Sequence, residues 1–288
     1  MSTAADTRPH VVVLGAGFAG LTFAQKFPAG LARVTLVDRT NHHLFQPLLY
    51  QVATAGLAVP DIAQPVRSIL ARKRDVTVLM DEVAGFDLAA RTVQLRQSVL
   101  SYDHLVVALG GRTSYFGHPE WERHAPGLKT IDDALRIRRN VLHAFERAEM
   151  TDDPTERQRL MTIVVIGGGP TGVELAGTFA ELQRHVLARD FRRLNLRTAR
   201  VILVEGSPRL LNAYPPELSD RARAQLESLG VAVWLGVHPR ADRVAGLRGL
   251  LNIPEAVTPL CMAAIGWPAE SIPPEDRFDS ARIHLDRW

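Results

Sequence analysis

Residues 164–177 read VVIGGGPTGVELAG, and this stretch decides the fold because residues 11–20, VVVLGAGFAG, already spell the same device. Each is a β-branched apolar run, then Gly-x-Gly-x-x-Gly, then a segment of helical spacing. The glycines are Gly15, Gly17 and Gly20 in the first copy and Gly167, Gly169 and Gly172 in the second. In a strand–turn–helix unit each has a mechanical task. The first permits a tight turn, the second lets a pyrophosphate reach the backbone with no Cβ in the way, and the third lets helix and strand pack closely. The helix N-terminus then presents free N–H groups and the positive end of its dipole to the phosphates.

A fingerprint of this kind is completed by an acid at the end of the following strand, where its carboxylate accepts the ribose hydroxyls. ARVTLVDR supplies Asp38 and ARVILVEGSP supplies Glu205. Two complete fingerprints predict an α/β protein with two Rossmann-like dinucleotide-binding domains and two dinucleotides. An acid at Glu205 repels a 2′-phosphate, so the second ligand is expected to be NADH in preference to NADPH. A hydride donor needs an acceptor at about 3 to 3.5 Å, which makes FAD the economical ligand of the first loop.

Composition bounds the rest. The chain has 288 residues, 46% of them hydrophobic, enough for about two globular domains. Its apolar runs fall short of the roughly 18 residues that a membrane-spanning helix needs. The first ten residues, MSTAADTRPH, read as a loose tail and not a secretory signal, so the expected compartment is the cytoplasm, with a peripheral station at the inner face of the cell membrane as its extension. Cys261 is the single cysteine, which excludes internal disulfides and a dithiol relay within one chain. With 34 basic against 31 acidic residues the net charge of +3 is too even for a nucleic-acid partner. No metal site is expected. One basic cluster stands out: RHVLARDFRRLNLRTAR, residues 184–200, interleaves arginines with apolar residues. It fits the solvated face of a core-packed helix better than a weak contact with an anionic lipid surface.

Three segments together carry a family resemblance: NHHLFQPLLYQVATAGLAVPDIAQPVRSIL (41–70), YDHLVVALGGRTSYFG (102–117) and GGGPTGVELAG (167–177). They resemble the type II, non-proton-pumping NADH:quinone oxidoreductases, over about residues 10–236. The resemblance implies a tightly but not covalently bound FAD, reduced by NADH and reoxidised by a quinone or another small electron acceptor. It also implies roles for residues. Gly15, Gly17 and Gly20 would hold the FAD pyrophosphate and Asp38 its ribose. Pro47 and Leu48 would lie by the isoalloxazine, Val83 near the adenine, and Ala108 and Gly110 at the end of a strand that backs the flavin. Gly167, Gly169, Pro170, Thr171 and Gly172 would line the NADH phosphates, with Glu205 on the ribose. Glu174, read as lying in the first turn of the second helix, matches a family carboxylate close to nicotinamide and quinone, and reads equally as an acid placed for the helix dipole. His42 and His43 are expected at the surface or in a cap instead of in catalysis.

Along the chain, an FAD-binding part is expected over 1–115 and an NADH-binding part over 116–237. A short α/β tail follows over 238–288. A helix is expected to end near Arg72, HLVVALG is expected to be a buried parallel strand, and 131–149 a helix. Past a seam near 236–240 the tail resembles the carboxyl end of FMN-dependent nitroreductases, with an Ile-Pro-Glu turn at 253–255, Gly266-Trp267-Pro268 ending a strand, and Arg277 at a place for the FMN phosphate. The return to the FAD domain expected of the resembling family, with its Gly-Asp pair, does not occur in the sequence. Three readings stand side by side: an NADH-oxidising FAD enzyme, an NADH-dependent nitro-compound reductase, and a truncated nucleotide-binding module without catalysis.

Overall fold

The apolar run His10–Leu14 forms strand β1, and Val11 to Leu14 are at most 3% exposed because both of its faces are covered. The computed structural model describes residues 7–236. After the glycine turn, helix α1 (Phe18–Lys26) leads to β2 (Arg33–Asp38), which pairs parallel with β1, Leu14 opposite Val37. The connection that follows is irregular: β3 (His42–Leu44), a 3₁₀ turn at Gln46–Leu48, α2 (Leu49–Ala53), α3 (Val59–Ile62), β4 (Ala63–Pro65) and α4 (Val66–Ile69). The single helix expected to end near Arg72 is thus two short pieces. The chain between them is drawn out as β4 to pair antiparallel with β3, and Pro65, with no N–H to give a helix, sits opposite His42.

Strand β5 (Val76–Met80) joins the far side of β2 in parallel. Strands β6 (Val83–Asp87), β7 (Thr92–Leu95) and β8 (Val99–Ser101) form a separate antiparallel meander, and β9 (His104–Val107) returns beside β1. The first sheet therefore runs β5-β2-β1-β9, all parallel. One of its faces packs against α1 through Val11, Val13, Val34 and Leu36, with Leu21 and Ala24 on the helix. The other packs against the meander through Val12, Leu14 and Val37.

β9 corrects the expectation of a buried strand. Leu105 and Val106 are half-buried, and Val107 is 56% exposed. The strand is the last of its sheet among the described residues, so its apolar run is covered on the β1 side only.

The second unit begins with α5 (Ile131–Met150). Thr130 accepts from the Asp133 N–H while Asp133 accepts from the Thr130 N–H, so two otherwise orphaned donors are satisfied at its start. Then come α6 (Pro154–Leu160), β10 (Thr162–Ile166), α7 (Pro170–Glu181), a π-helical turn at Leu182–Leu187, α8 (Ala188–Asp190), β11 (Arg200–Val204), α9 (Pro216–Ser228) and β12 (Val231–Trp234). The sheet order is β10-β11-β12, again parallel. Phe145, Ala176, Phe179, Leu203 and Leu226 fill its core. Both strand–glycine–helix units expected from the sequence are present, and the fold is α/β. The tail from 238 onward, and with it the expected resemblance to nitroreductases, lies outside the described residues. No helix among the described residues is long and apolar enough to cross a membrane.

Candidate functional site

The two glycine turns have the same construction. Gly15 has φ +100° and Gly167 φ +106°, a left-handed conformation that glycine adopts at no steric cost. Each turn is tied down by its first amide, Gly15 N–H to the Val37 carbonyl at 2.7 Å and Gly167 N–H to the Val204 carbonyl at 2.8 Å. A Cβ on Gly20 would collide with the Gly15 carbonyl, and one on Gly172 with the Gly167 carbonyl, so the third glycines are dictated by helix-to-turn packing. The second glycines differ from both. A Cβ on Gly17 or on Gly169 would meet no atom within 4 Å, and these residues cap α1 and α7 without a side-chain cap hydrogen bond. Each helix thus starts on an open surface with uncapped N–H groups, the arrangement that receives a pyrophosphate. Pro170 opens α7 at a position where a missing N–H costs nothing, with Thr171 exposed beside it.

The fingerprint acids are bound to the same turns. Asp38 accepts the Ala16 N–H at 2.6 Å, and its other oxygen accepts the N–H and hydroxyl of Thr40, each at 2.7 Å. Glu205 accepts the Gly168 N–H on one oxygen and the Ser207 N–H on the other. Burial disfavours the charge on Glu205, yet hydrogen bonds from Gly168, Ser207 and Gly206 outweigh it and hold the carboxyl below the ordinary glutamate value. A carboxylate has about four lone-pair sites, so each acid keeps capacity for a hydroxyl ligand.

The other expected residues fall around these turns. A Cβ on Gly15 would strike the Ala108 carbonyl, so Ala108, whose N–H bonds the Leu14 carbonyl at 2.8 Å, walls the first turn. Gly110 follows at φ +74° in open space. Val83 packs with Val12, Leu14 and Val37 beneath β2. Pro47 is exposed in the 3₁₀ turn, while Leu48 joins a cluster built on Leu49, Val52, Ala53, Ile62 and Ala134. Ile137 of α5 and Leu175 of α7 pack on that same cluster. The loop of Pro47 and Leu48 is thereby brought against the helix that carries Glu174.

Glu174 is corrected in one respect. Helix α7 starts at Pro170, so Glu174 is its fifth residue and lies beyond the first turn, too far in for an acid placed at the helix end. Partial burial raises its carboxyl above the ordinary value, and its carboxylate makes no hydrogen bond or ion pair among the described residues.

Three residues with roles here were not anticipated. His43 Nδ1 lies 2.9 Å from the Ala16 carbonyl, and its ring meets Phe18 edge-on at 5.1 Å, so it props the first turn. Ser207 holds Glu205. Arg209 donates to the Tyr214 and Asn212 carbonyls at 2.8 Å and to the Ser219 hydroxyl at 3.2 Å. It folds residues 211–214 into the wall of a cleft of about 290 Å³ that also contains Gly168, Gly169, Pro170 and Glu205. The only sequence signal was the position of GSPR directly after the acid.

A family model described as pyridine nucleotide-disulphide oxidoreductase matches residues 9–256. The type II NADH:quinone oxidoreductase Ndh of Mycobacterium tuberculosis is 46% identical over 239 residues, 81% of this chain and 52% of that protein. The mitochondrial external NADH-ubiquinone oxidoreductase 2 of Saccharomyces cerevisiae is 36% identical over 225 residues, 73% of this chain and 40% of that one. Among solved structures, NDH2 from Plasmodium falciparum in complex with NADH superposes with a TM-score of 0.74 at 25% identity, covering 79% of this chain and 48% of that chain. The chain spans about half the length of the curated relatives it matches first.

Proposed function

We propose that this chain, which belongs to the pyridine nucleotide-disulphide oxidoreductase family, is an NADH-oxidising flavoprotein that holds FAD at its first glycine turn and receives NADH at its second. The observation that carries this reading is the pair of matching open faces at Gly17 and Gly169, each on an uncapped helix N-terminus and each next to an acid held by its own loop. FAD, if held there, would supply a hydride acceptor for NADH and an electron donor for a quinone or another small acceptor. Everything else falls to the chain's own residues. Gly15, Gly17 and Gly20 shape the first phosphate seat, Asp38 receives the ribose, and Ala108, Gly110, Pro47, Leu48 and Val83 surround the flavin nucleotide. Gly167, Gly169, Pro170, Thr171 and Gly172 seat the NADH phosphates, and Glu205 takes the ribose and rejects a 2′-phosphate. Glu174 carries the proton on the nicotinamide side.

The proposed arrangement is an FAD-binding part over 1–115 and an NADH-binding part over 116–237, working as a peripheral protein at the cytoplasmic face of the membrane. The purified chain is expected to be yellow, NADH to bleach its flavin absorbance under anaerobic conditions, and a soluble dye added afterwards to restore it. Gly17→Val removes the flavin, and Gly169→Val keeps it but abolishes bleaching. If both variants behave as the parent does, the assignment of the two turns is wrong. A second reading is a nucleotide-binding module without turnover, since the open faces at Gly17 and Gly169 seat a nucleotide whether or not chemistry follows. Colourless protein that NADH still stabilises would establish it.

A further inference from the structure

Away from both glycine turns, the arginine-rich segment that follows α7 encloses a cavity of about 610 Å³. Its walls come from the π-helical turn Leu182–Leu187, the turn at Leu196–Thr198, β11 and the end of α9. Leu194, Leu196, Val201 and Leu229 make much of that surface apolar. Its charged groups are Arg184 and Arg197, and no carboxylate lines it.

Gln183 is the decisive residue. It lines the cavity and is 4% exposed, yet its amide nitrogen is buried with no hydrogen-bond partner. A buried donor without an acceptor is destabilising, and such groups are rare enough in native proteins that each asks for a cause. An interior leucine would fill the same space without that cost. The π-helical turn is a second local expense, since such turns are rare and concentrate at functional positions.

The guanidinium groups are available. Arg197 has no side-chain hydrogen bond or ion pair among the described residues. Arg184 makes only a long contact, 3.5 Å, with the Ser228 carbonyl, and it lies over Gly230, where a Cβ would come within 2.7 Å of its Nη2. Gly230 itself is set by its φ of +79°, which closes α9, and not by the arginine. Two guanidinium forks and an amide, borne by separate elements, suit an oxyanion with several terminal oxygens, and the apolar walls suit a hydrocarbon body attached to it. We propose that this cavity binds a phosphate monoester carried on an apolar chain, with Arg184, Arg197 and Gln183 on the phosphate and the leucines on the chain.

The test is titration calorimetry of the full-length protein with dodecyl phosphate below its micelle concentration, beside inorganic phosphate and the neutral dodecyl maltoside. Single-site binding of dodecyl phosphate is expected, at least about tenfold tighter than either control and weakened about tenfold by Arg197→Gln and by Gln183→Leu. Arg197 is exposed and its replacement leaves folding intact. Gln183→Leu should also raise the melting temperature of the free protein, which separates loss of the donor from loss of the fold. Co-sedimentation with phosphatidic acid vesicles, abolished by the same variants, identifies a membrane lipid as the source of the phosphate. Absence of co-sedimentation with soluble binding intact identifies a free amphiphile. Equal affinity of the variants and parent, or equal affinity for the neutral amphiphile, overturns the proposal.

Discussion

The carboxylate of Glu205 is bonded to the backbone N–H of Gly168, thirty-seven residues earlier in the chain, and so fastens the second glycine turn to the end of β11. Asp38 does the same for Ala16 in the first turn, at 2.6 Å. An acid at this position thus shapes the loop, beside the ribose contact proposed for it.

This predicts a pH dependence. The folded carboxyl of Glu205 lies below its ordinary value, so the stability it contributes is complete above the unfolded glutamate pKa of about 4.3 and is lost as pH falls through the lower folded value. Glu205→Gln should melt a few degrees below the parent at neutral pH, with the gap closing once the parent's own carboxyl is protonated. Melting curves across pH check this. The same variant should narrow the preference for NADH over NADPH, read as the ratio of kcat/KM values.

Gly17 and Gly20 stand three residues apart and should fail differently. Gly17→Ala enters open space and should leave melting nearly unchanged while weakening flavin retention. Gly20→Ala forces a collision with the Gly15 carbonyl and should cost about 1–3 kcal/mol, whatever the ligand. Denaturant melts of apoprotein, set against flavin content, separate the two outcomes.

His43→Ala removes both the bond to the Ala16 carbonyl and the edge contact with Phe18. About 1 kcal/mol should be lost, along with a matching rise in the flavin dissociation constant. An unchanged dissociation constant would reduce His43 to a surface residue.

Arg209→Ala releases the carbonyls of Asn212 and Tyr214 and with them the cleft wall beside Glu205. The expected result is a KM for NADH raised severalfold with kcat little altered, the pattern of lost uniform binding. Steady-state kinetics with a dye acceptor measure it.

Glu174→Gln should leave folding intact and lower kcat by at least about tenfold if the carboxyl handles a proton. Burial raises its folded value, so the cost of its charge is present above that value, and the glutamine variant should be slightly the more stable at neutral pH.

Much of this fold was legible because its signals are local. The runs His10–Leu14 and Thr162–Ile166, the glycine spacings and the closing acids all lie within short windows, and Thr130 with Asp133 marks a helix start by itself. Where reading failed, the deciding partner was distant. The run at Leu105 and Val106 looks the same whether or not another strand covers its far side. Arg209 gives no sign in sequence of the loop carbonyls it will hold, nor His43 of Ala16. Glu174 lies one turn deeper than expected because the helix starts at Pro170, inside the glycine run, and not at Val173 after it.

Leu49, Val52 and Ala53 occupy a single short helix, yet they touch Ala134 and Ile137 on one neighbour and Leu175 on another. That helix works as a shim against both α5 and α7. A methyl group gained or lost at Val52 would therefore shift the loop of Pro47 and Leu48 against the helix that carries Glu174, while both glycine turns keep their own geometry.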